Sequence, residues 1–534
     1  MARRPPDLYF AAGLTAAYFC LAAVVVAHHE MWGDELQTWL LVRNSGSLPE
    51  LFHHLAYEGH PALWHLLLYA LQHTVSTAPP AMQWLHLGIA TATVAIVAAV
   101  APFTRLQRAL FAFGYYAFYE YAVIARNYGI GLLLTVIACA LVARRRPAPL
   151  ATGVVLFLLA HTNVFGTITA AALVAGLAAE WLIERRRHRP VGVDAKRAMP
   201  SAGALAWMVG LGVLGVVTAA WQMKPPPDYG FAIGWHLRPN ADLLRLTLRI
   251  PAFTFLPLHP VAHDFWGRTV VGEHVWLKRV TIVLSLALLA WTARVAARRP
   301  VALAWYVLTV LGCLAFYYAK YLGTLRHYGM LVAAVVVAYW LAFAGAEPST
   351  SRRTPELRWA SLVLTAVLAL QALAGVATGW LDWRYVFSSA QQAAAAVGRA
   401  NLSGCVLAGI GTPTDVGIAA VLGYLPGQRR AYYVRTERFE SFVIWDIRSR
   451  RRVTDSAVVA RSKRLAAETH NGVLLLVPRA LPAMPDAPRF FAAFTGSAVP
   501  EDFFLYIVRP PDEATERGKG EAVGDAAARC HVPS

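Results

Sequence analysis

From Leu8 to Ala27 the chain runs twenty residues without a charged side chain, about the length an α-helix needs to cross the hydrocarbon of a bilayer. Ten further apolar runs follow, near 82–103, 108–125, 128–143, 148–160, 164–183, 201–221, 277–296, 301–318, 328–345 and 358–381. Backbone in hydrocarbon must satisfy its own hydrogen bonds, so a chain built this way is confined to packed helices. Its composition agrees: 57% of the 534 residues are hydrophobic, 15% are charged and mean hydropathy is +0.45. That leaves too little charge to clothe a soluble protein of this size. The net charge of +18 arrives as short arginine clusters between apolar runs, the habit of cytoplasmic loops. A nucleic-acid partner is therefore not expected.

Orientation follows from those clusters. Arg3-Arg4, Arg105/Arg108, Arg144-Arg145-Arg146, the RRRHR stretch at 185–189, Arg294/Arg298/Arg299 and Arg352-Arg353/Arg358 fall on alternate loops of an eleven-span chain. Placed inside, they put the N-terminus in the cytoplasm of a plasma (inner) membrane protein. Residues 61–77, PALWHLLLYALQHTVST, are apolar enough to tempt a twelfth crossing, which would reverse every later cluster. The segment is short, opens on a proline and carries two histidines, so it reads as an amphipathic helix lying in the outer interface. The loop 28–81 then stays outside. A second outer loop, 222–276, is long enough to carry an interfacial helix of its own.

Beyond residue 384 the pattern changes. CVLAGIGT, AYYVR, SFVIWDI, GVLLLVP and FFLYIVR read as short strands, with helical stretches at 388–400 and 456–469 between them. The expectation is a helical polytopic domain, 1–383, followed by a small extracytoplasmic α/β domain, 384–534, whose end at 511–528 is polar and disordered. LAGIGTPTDVG, 407–417, misses the spacing of a nucleotide loop and reads as a tight turn. Cys405 and Cys530, both in this outer part, are expected to pair.

Ionisable groups at a membrane edge are costly and mark candidate sites. The outer edge collects Asp34, Glu35, Glu58 and His60 in the first loop, then Arg126-Asn127-Tyr128, His161-Thr162-Asn163, Lys320 and Arg326-His327. Acids facing cations suit a reaction in which a hydroxyl loses its proton while a phosphate leaves. A carboxylate acts as general base, and cations stabilise the growing phosphate charge. A lipid-linked sugar phosphate would need this layout, with its tail in the bilayer and its head at the interface.

Four stretches, in order, carry a family resemblance. GDELQTWLLVRNSGSLPELFHHLAYEGHPALWHLLLYAL, AVIARNYGIGLLL, LLAHTNVFGTI and GTLRHYGMLVAA resemble segments of the GT-C polyprenyl-phosphate-sugar glycosyltransferases. The similarity is greatest to the protein-mannosyltransferase and aminoarabinose-transferase group, and it covers roughly residues 8–345. It implies a GT-C-like fold of about eleven transmembrane helices with interfacial jaw helices, and an inverting transferase. Asp34 would hold the catalytic acidic position with Glu35 beside it. A polyprenyl-phosphate donor would be held by Arg126 and Arg326, with Lys320, His327, His161 and Asn163 beside them. Glu58, His60, His65 and Tyr128 fall on the jaw and acceptor side. The acceptor would be a glycan, lipid or protein hydroxyl.

Other readings accompany this one. Asp34 and Glu35 could cap a helix start. His28, His29, His53, His54, His60 and His65 in the acidic first loop would allow a divalent metal, although no tight ligand spacing occurs and the reaction requires no cofactor. A transporter or flippase of a lipid-linked substrate is the alternative function. It would want ionisable groups near mid-membrane, where these apolar runs carry almost none.

Overall fold

A computed structural model describes residues 5–144, 146–187, 199–230, 234–344, 355–411, 415–427, 430–485 and 487–510. Arg145, His188, Arg189, Arg352, Arg353, Cys530 and the polar stretch 511–528 lie outside those residues; Cys405 is disulfide-bonded.

The apolar runs fold into helices: α1 (Pro5–His28), α2 (Gly33–Arg43), α3 (Leu48–Leu55), α4 (Leu63–Thr74), α5 (Pro80–Val100), α6 (Arg105–Ala112), α7 (Tyr128–Val142), α8 (Pro149–Ala160), α9 (Val164–Arg187) and α10 (Ala202–Gln222). After these come α11 (Ala241–Phe255), α12 (Val270–Glu273), α13 (Val275–Ala296), α14 (Pro300–Ala319), α15 (Gly329–Phe343) and α16 (Pro355–Arg384). Among the described residues, eight helices are long and apolar enough to cross a membrane: α1, α5, α9, α10, α13, α14, α15 with the turn before it, and α16. All eight coincide with expected spans. Leu8, Phe19, Trp207, Val283 and Leu373 stand exposed on them, apolar surface of the kind a bilayer covers.

The other three expected spans differ. α7 and α8 are apolar but only 15 and 12 residues long, and 108–125 is not one helix. There the chain leaves α6 at Gly114, makes a π-helical turn over Tyr115–Glu120 and continues through turns to Arg126. A glycine on α16 lets that helix pack directly on the break. A side chain at Gly375 on α16 would meet the Phe113 carbonyl oxygen at 2.3 Å and the Gly114 backbone at 2.8 Å. Irregular backbone survives here because it is buried within protein, where side chains reach its polar groups. Small residues also close other seams: a side chain at Gly215 on α10 would meet Phe157 on α8 at 2.7 Å.

Segment 61–77 is the short helix α4, packed on α2, with its start tied to two other helices: Ala62 N–H donates to Gln222 and Leu63 N–H to the His161 carbonyl. In the second loop, α11 is the expected additional helix.

The C-terminal domain is a six-stranded sheet with α17 (Ala390–Arg399), α18 (Val416–Tyr424) and α19 (Asp455–Thr469). Its strands are β1 (Val406–Gly409), β2 (Ala431–Tyr433), β3 (Arg438–Glu440), β4 (Val473–Val477), β5 (Arg489–Phe494) and β6 (Phe503–Val508), in the order β3-β2-β1-β4-β6-β5. β2, β1 and β4 are parallel and the rest antiparallel. One expected strand, SFVIWDI, is not formed, although its apolar run fits one. Val443 instead gives its N–H and C=O to the side-chain amide of Gln37 on α2, at 2.8 Å each. The chain spends that backbone pairing on the helical domain. β3 and β5 were not expected. Within 407–417, Asp415 accepts the Gly411 N–H at 2.7 Å and is paired with Arg435; residues 412–414, the place of the expected tight turn, lie outside the described residues.

Candidate functional site

A cavity of about 1780 Å³ lies between the helical domain and the sheet domain. Its apolar wall comes from α9 and α14, including Phe165, Ile168, Ala315 and Phe316. The opposite wall comes from the C-terminal domain, including Ile410, Trp445 and Glu501. Gly411 and Pro478, beyond the carboxyl ends of parallel strands β1 and β4, also open into it. That is the crevice where such sheets bind ligands.

Asp34 lines this cavity on the first turn of α2. Its Oδ2 lies 3.0 Å from Arg326 Nη2 and 3.9 Å from Arg126 Nη2. Arg126 also donates to the Asp34 carbonyl and to Thr38 Oγ1. The Arg326 guanidinium sits 5.0 Å from the Trp32 ring and 5.6 Å from Trp266, and Trp266 Nε1 donates to Glu120. The two rings, themselves 5.1 Å apart and edge to face, stabilise the cation together and restrict its freedom. The expected cations are thus present, and in this structure they clasp the expected base.

Glu35 does not line the cavity. Successive helical residues point about 100° apart, and Glu35 turns inward, fully buried. Its Oε1 accepts the Ala125 N–H at 2.6 Å, and Oε2 meets His29 Nε2 at 3.2 Å and the Trp32 N–H at 3.3 Å. His29 is held at 2.9 Å by Asp382 on its other nitrogen. Glu35 therefore closes the start of α2 and fixes the loop ahead of Arg126, and the catalytic position expected for it is corrected to a structural one. Trp32, not Asp34, occupies the cap position.

The remaining expected residues divide. Lys320, His327, Asn163, Tyr128, Glu58 and His60 line the cavity. Lys320 Nζ lies 5.2 Å over the Trp235 ring. His327 Nδ1 accepts the Thr324 N–H at 2.9 Å. Asn163 is engaged structurally, its Oδ1 accepting the Gly166 N–H at the start of α9. Tyr128 stacks on Tyr121. Glu58 takes a hydrogen bond from Gln37 at 2.9 Å, and burial raises its pKa. Burial, then the charges of Arg126 and Arg326, lower His60 to about 3, so its imidazole is neutral.

His161 and His65 do not line the cavity. His161 bonds the Phe157 carbonyl and Thr218 Oγ1, and both ring nitrogens of buried His65 lack a hydrogen-bond partner. Among the described residues, no group of three or more His, Cys, Asp or Glu comes together as a metal site.

Trp266, Trp445 and Glu501 were not anticipated. The length of the second loop hinted at Trp266, whereas Glu501 gave no local signal. Comparison with family models, curated proteins and solved structures finds no match.

Proposed function

We propose that the protein is a membrane glycosyltransferase that moves a sugar from a polyprenyl-phosphate donor to a hydroxyl acceptor at the extracytoplasmic face. The observation that carries this reading is the cavity's polarity. Asp34, Arg126 and Arg326 stand together in a lining that also includes the apolar wall of α9 and α14. An isoprenoid tail suits that wall and a phosphate suits the guanidinium pair, since arginine binds phosphate bidentately.

In this reading the chain crosses the membrane eleven times, with 108–125, α7 and α8 as the short or broken crossings, and the N-terminus is cytoplasmic. Donor phosphate competes with Asp34 for Arg326 and Arg126. Asp34 then takes the acceptor O–H proton as the acceptor oxygen bonds to the anomeric carbon from the face opposite the phosphate. The anomeric C–O bond breaks with its electron pair going to the phosphate, whose charge falls on Arg326, Arg126 and Lys320. The product is inverted. His60, held neutral, and Glu58 border the acceptor side.

Photoaffinity labelling with a diazirine-bearing polyprenyl phosphate tests the donor assignment. Labelling should fall on α9 and α14 around Ile168 and Phe316 and be suppressed by unlabelled polyprenyl phosphate. Labelling spread evenly over the lipid-facing helices would count against it.

A further inference from the structure

Glu501 belongs to the C-terminal domain, 467 positions from Asp34, yet it reaches the helix that carries Asp34. Its Oε1 lies 3.0 Å from the Gly33 backbone nitrogen and its Oε2 lies 3.1 Å from Ser388 Oγ. The Gly33 N–H opens α2 and has no partner within its own helix. The loop bearing Glu501 is itself fixed, because Ala498 and Val499 donate their N–H groups to the carbonyls of Val386 and Phe387. Gly33 admits no side chain here: a Cβ would meet Val416 Cγ1 at 2.3 Å and Glu501 Oε1 at 2.5 Å. Farther along, Gly423 of α18 faces Leu36 of α2 closely, where a Cβ would meet Leu36 Cδ2 at 2.8 Å. The first turn of α2, and Asp34 with it, is seated on the C-terminal domain.

We infer that Glu501 is a positioning residue, clamping the start of α2 so that Asp34 faces the cavity, and that the C-terminal domain is a working part of the site. The inference rests on the proposed role of Asp34 for its catalytic meaning, while the clamp stands on geometry alone. Burial raises Glu501 to about 8, and the groups facing it are Asp34 and Glu35 on α2 and Tyr424 on α18. Below that pH the neutral carboxyl holds the turn without repelling the two acids. Above it, a third negative charge stands beside them.

Hydrogen exchange of the full-length protein in detergent micelles, followed over residues 33–36 in wild type, Glu501→Gln and Glu501→Ala, tests the clamp without needing a substrate. Glu501→Ala should speed exchange there by about tenfold or more, and Glu501→Gln, which keeps an oxygen for Gly33, should stay within about twofold of wild type. Unchanged exchange in Glu501→Ala, or equal opening in both variants, would overturn the inference. Where transfer from a polyprenyl-phosphate sugar is measurable, Glu501→Ala should lower kcat with donor KM held. The decline of wild-type rate above pH 8 should be missing in Glu501→Gln, and a decline kept in that variant would overturn the role assigned to ionisation. If no donor is turned over, the function reading fails while the exchange result still decides the clamp.

Discussion

Arg326 Nη2 stands 3.0 Å from Asp34 Oδ2, with its guanidinium lying over both Trp32 and Trp266. The acid comes from the first loop, the cation from the turn before α15 and one of the rings from the second long loop. Three distant segments therefore converge on one ion pair. Lysine keeps the charge of arginine but loses the planar fork and its stacking. Arg326→Lys should lower kcat/KM for a polyprenyl-phosphate sugar by about tenfold or more, chiefly through donor KM. Steady-state kinetics over donor concentration checks this.

Glu35 should behave differently from its neighbour. Removing one member of a buried charged cluster leaves the others unpaired, so Glu35→Ala should cost about 3 kcal/mol or more. A lowered melting temperature in detergent would report it. A variant that melts like wild type but loses transfer would instead return Glu35 to the chemistry.

These two acids show how far the sequence could be read. Charges at the ends of apolar runs are conspicuous because a membrane edge makes them costly, which is why Asp34, Arg126 and Arg326 stood out. Asp34 and Glu35 stand side by side in sequence, and only the turn of α2 separates the cavity face from the core face. The long spans were legible from length alone. The break at Gly114 was not, since an aromatic run hides it and the close seat of Gly375 against it comes from a distant helix. SFVIWDI is short, apolar and β-branched as a buried strand can be, yet Gln37 takes the backbone pairing of Val443. Glu501 lay beyond any local pattern because its partner, Gly33, belongs to the other domain.

The pH dependence of stability should carry two opposite contributions. Glu501, raised in the folded state from 4.5 to about 8, favours folding fully below pH 4.5. That contribution fades as pH rises and is gone above about 8. His60, lowered from 6.5 to about 3, favours folding above pH 6.5, and its contribution is lost as pH falls toward 3. Melting temperatures across this range should therefore lose their alkaline slope in Glu501→Gln and part of their acid slope in His60→Gln. Slopes unchanged in both variants would contradict the assignment.

The seam between α2 and α18 should tolerate no added methyl. Gly423→Ala places its Cβ 2.8 Å from Leu36 Cδ2, and such overpacking costs about 1–3 kcal/mol. The variant should melt earlier and expose residues 33–36 to faster exchange. A variant with wild-type melting and exchange would show that the domains are not closely seated there.

The most direct measurement is transfer from a panel of radiolabelled polyprenyl-phosphate sugars to envelope acceptors by wild type and Asp34→Asn. The account predicts transfer from at least one donor by wild type, and a loss of about a hundredfold or more in the variant with polyprenyl-phosphate labelling retained. Equal transfer by both proteins would remove Asp34 from the chemistry. No transfer by folded wild type that still takes the photolabel would contradict the enzyme reading and favour a carrier of lipid-linked substrates.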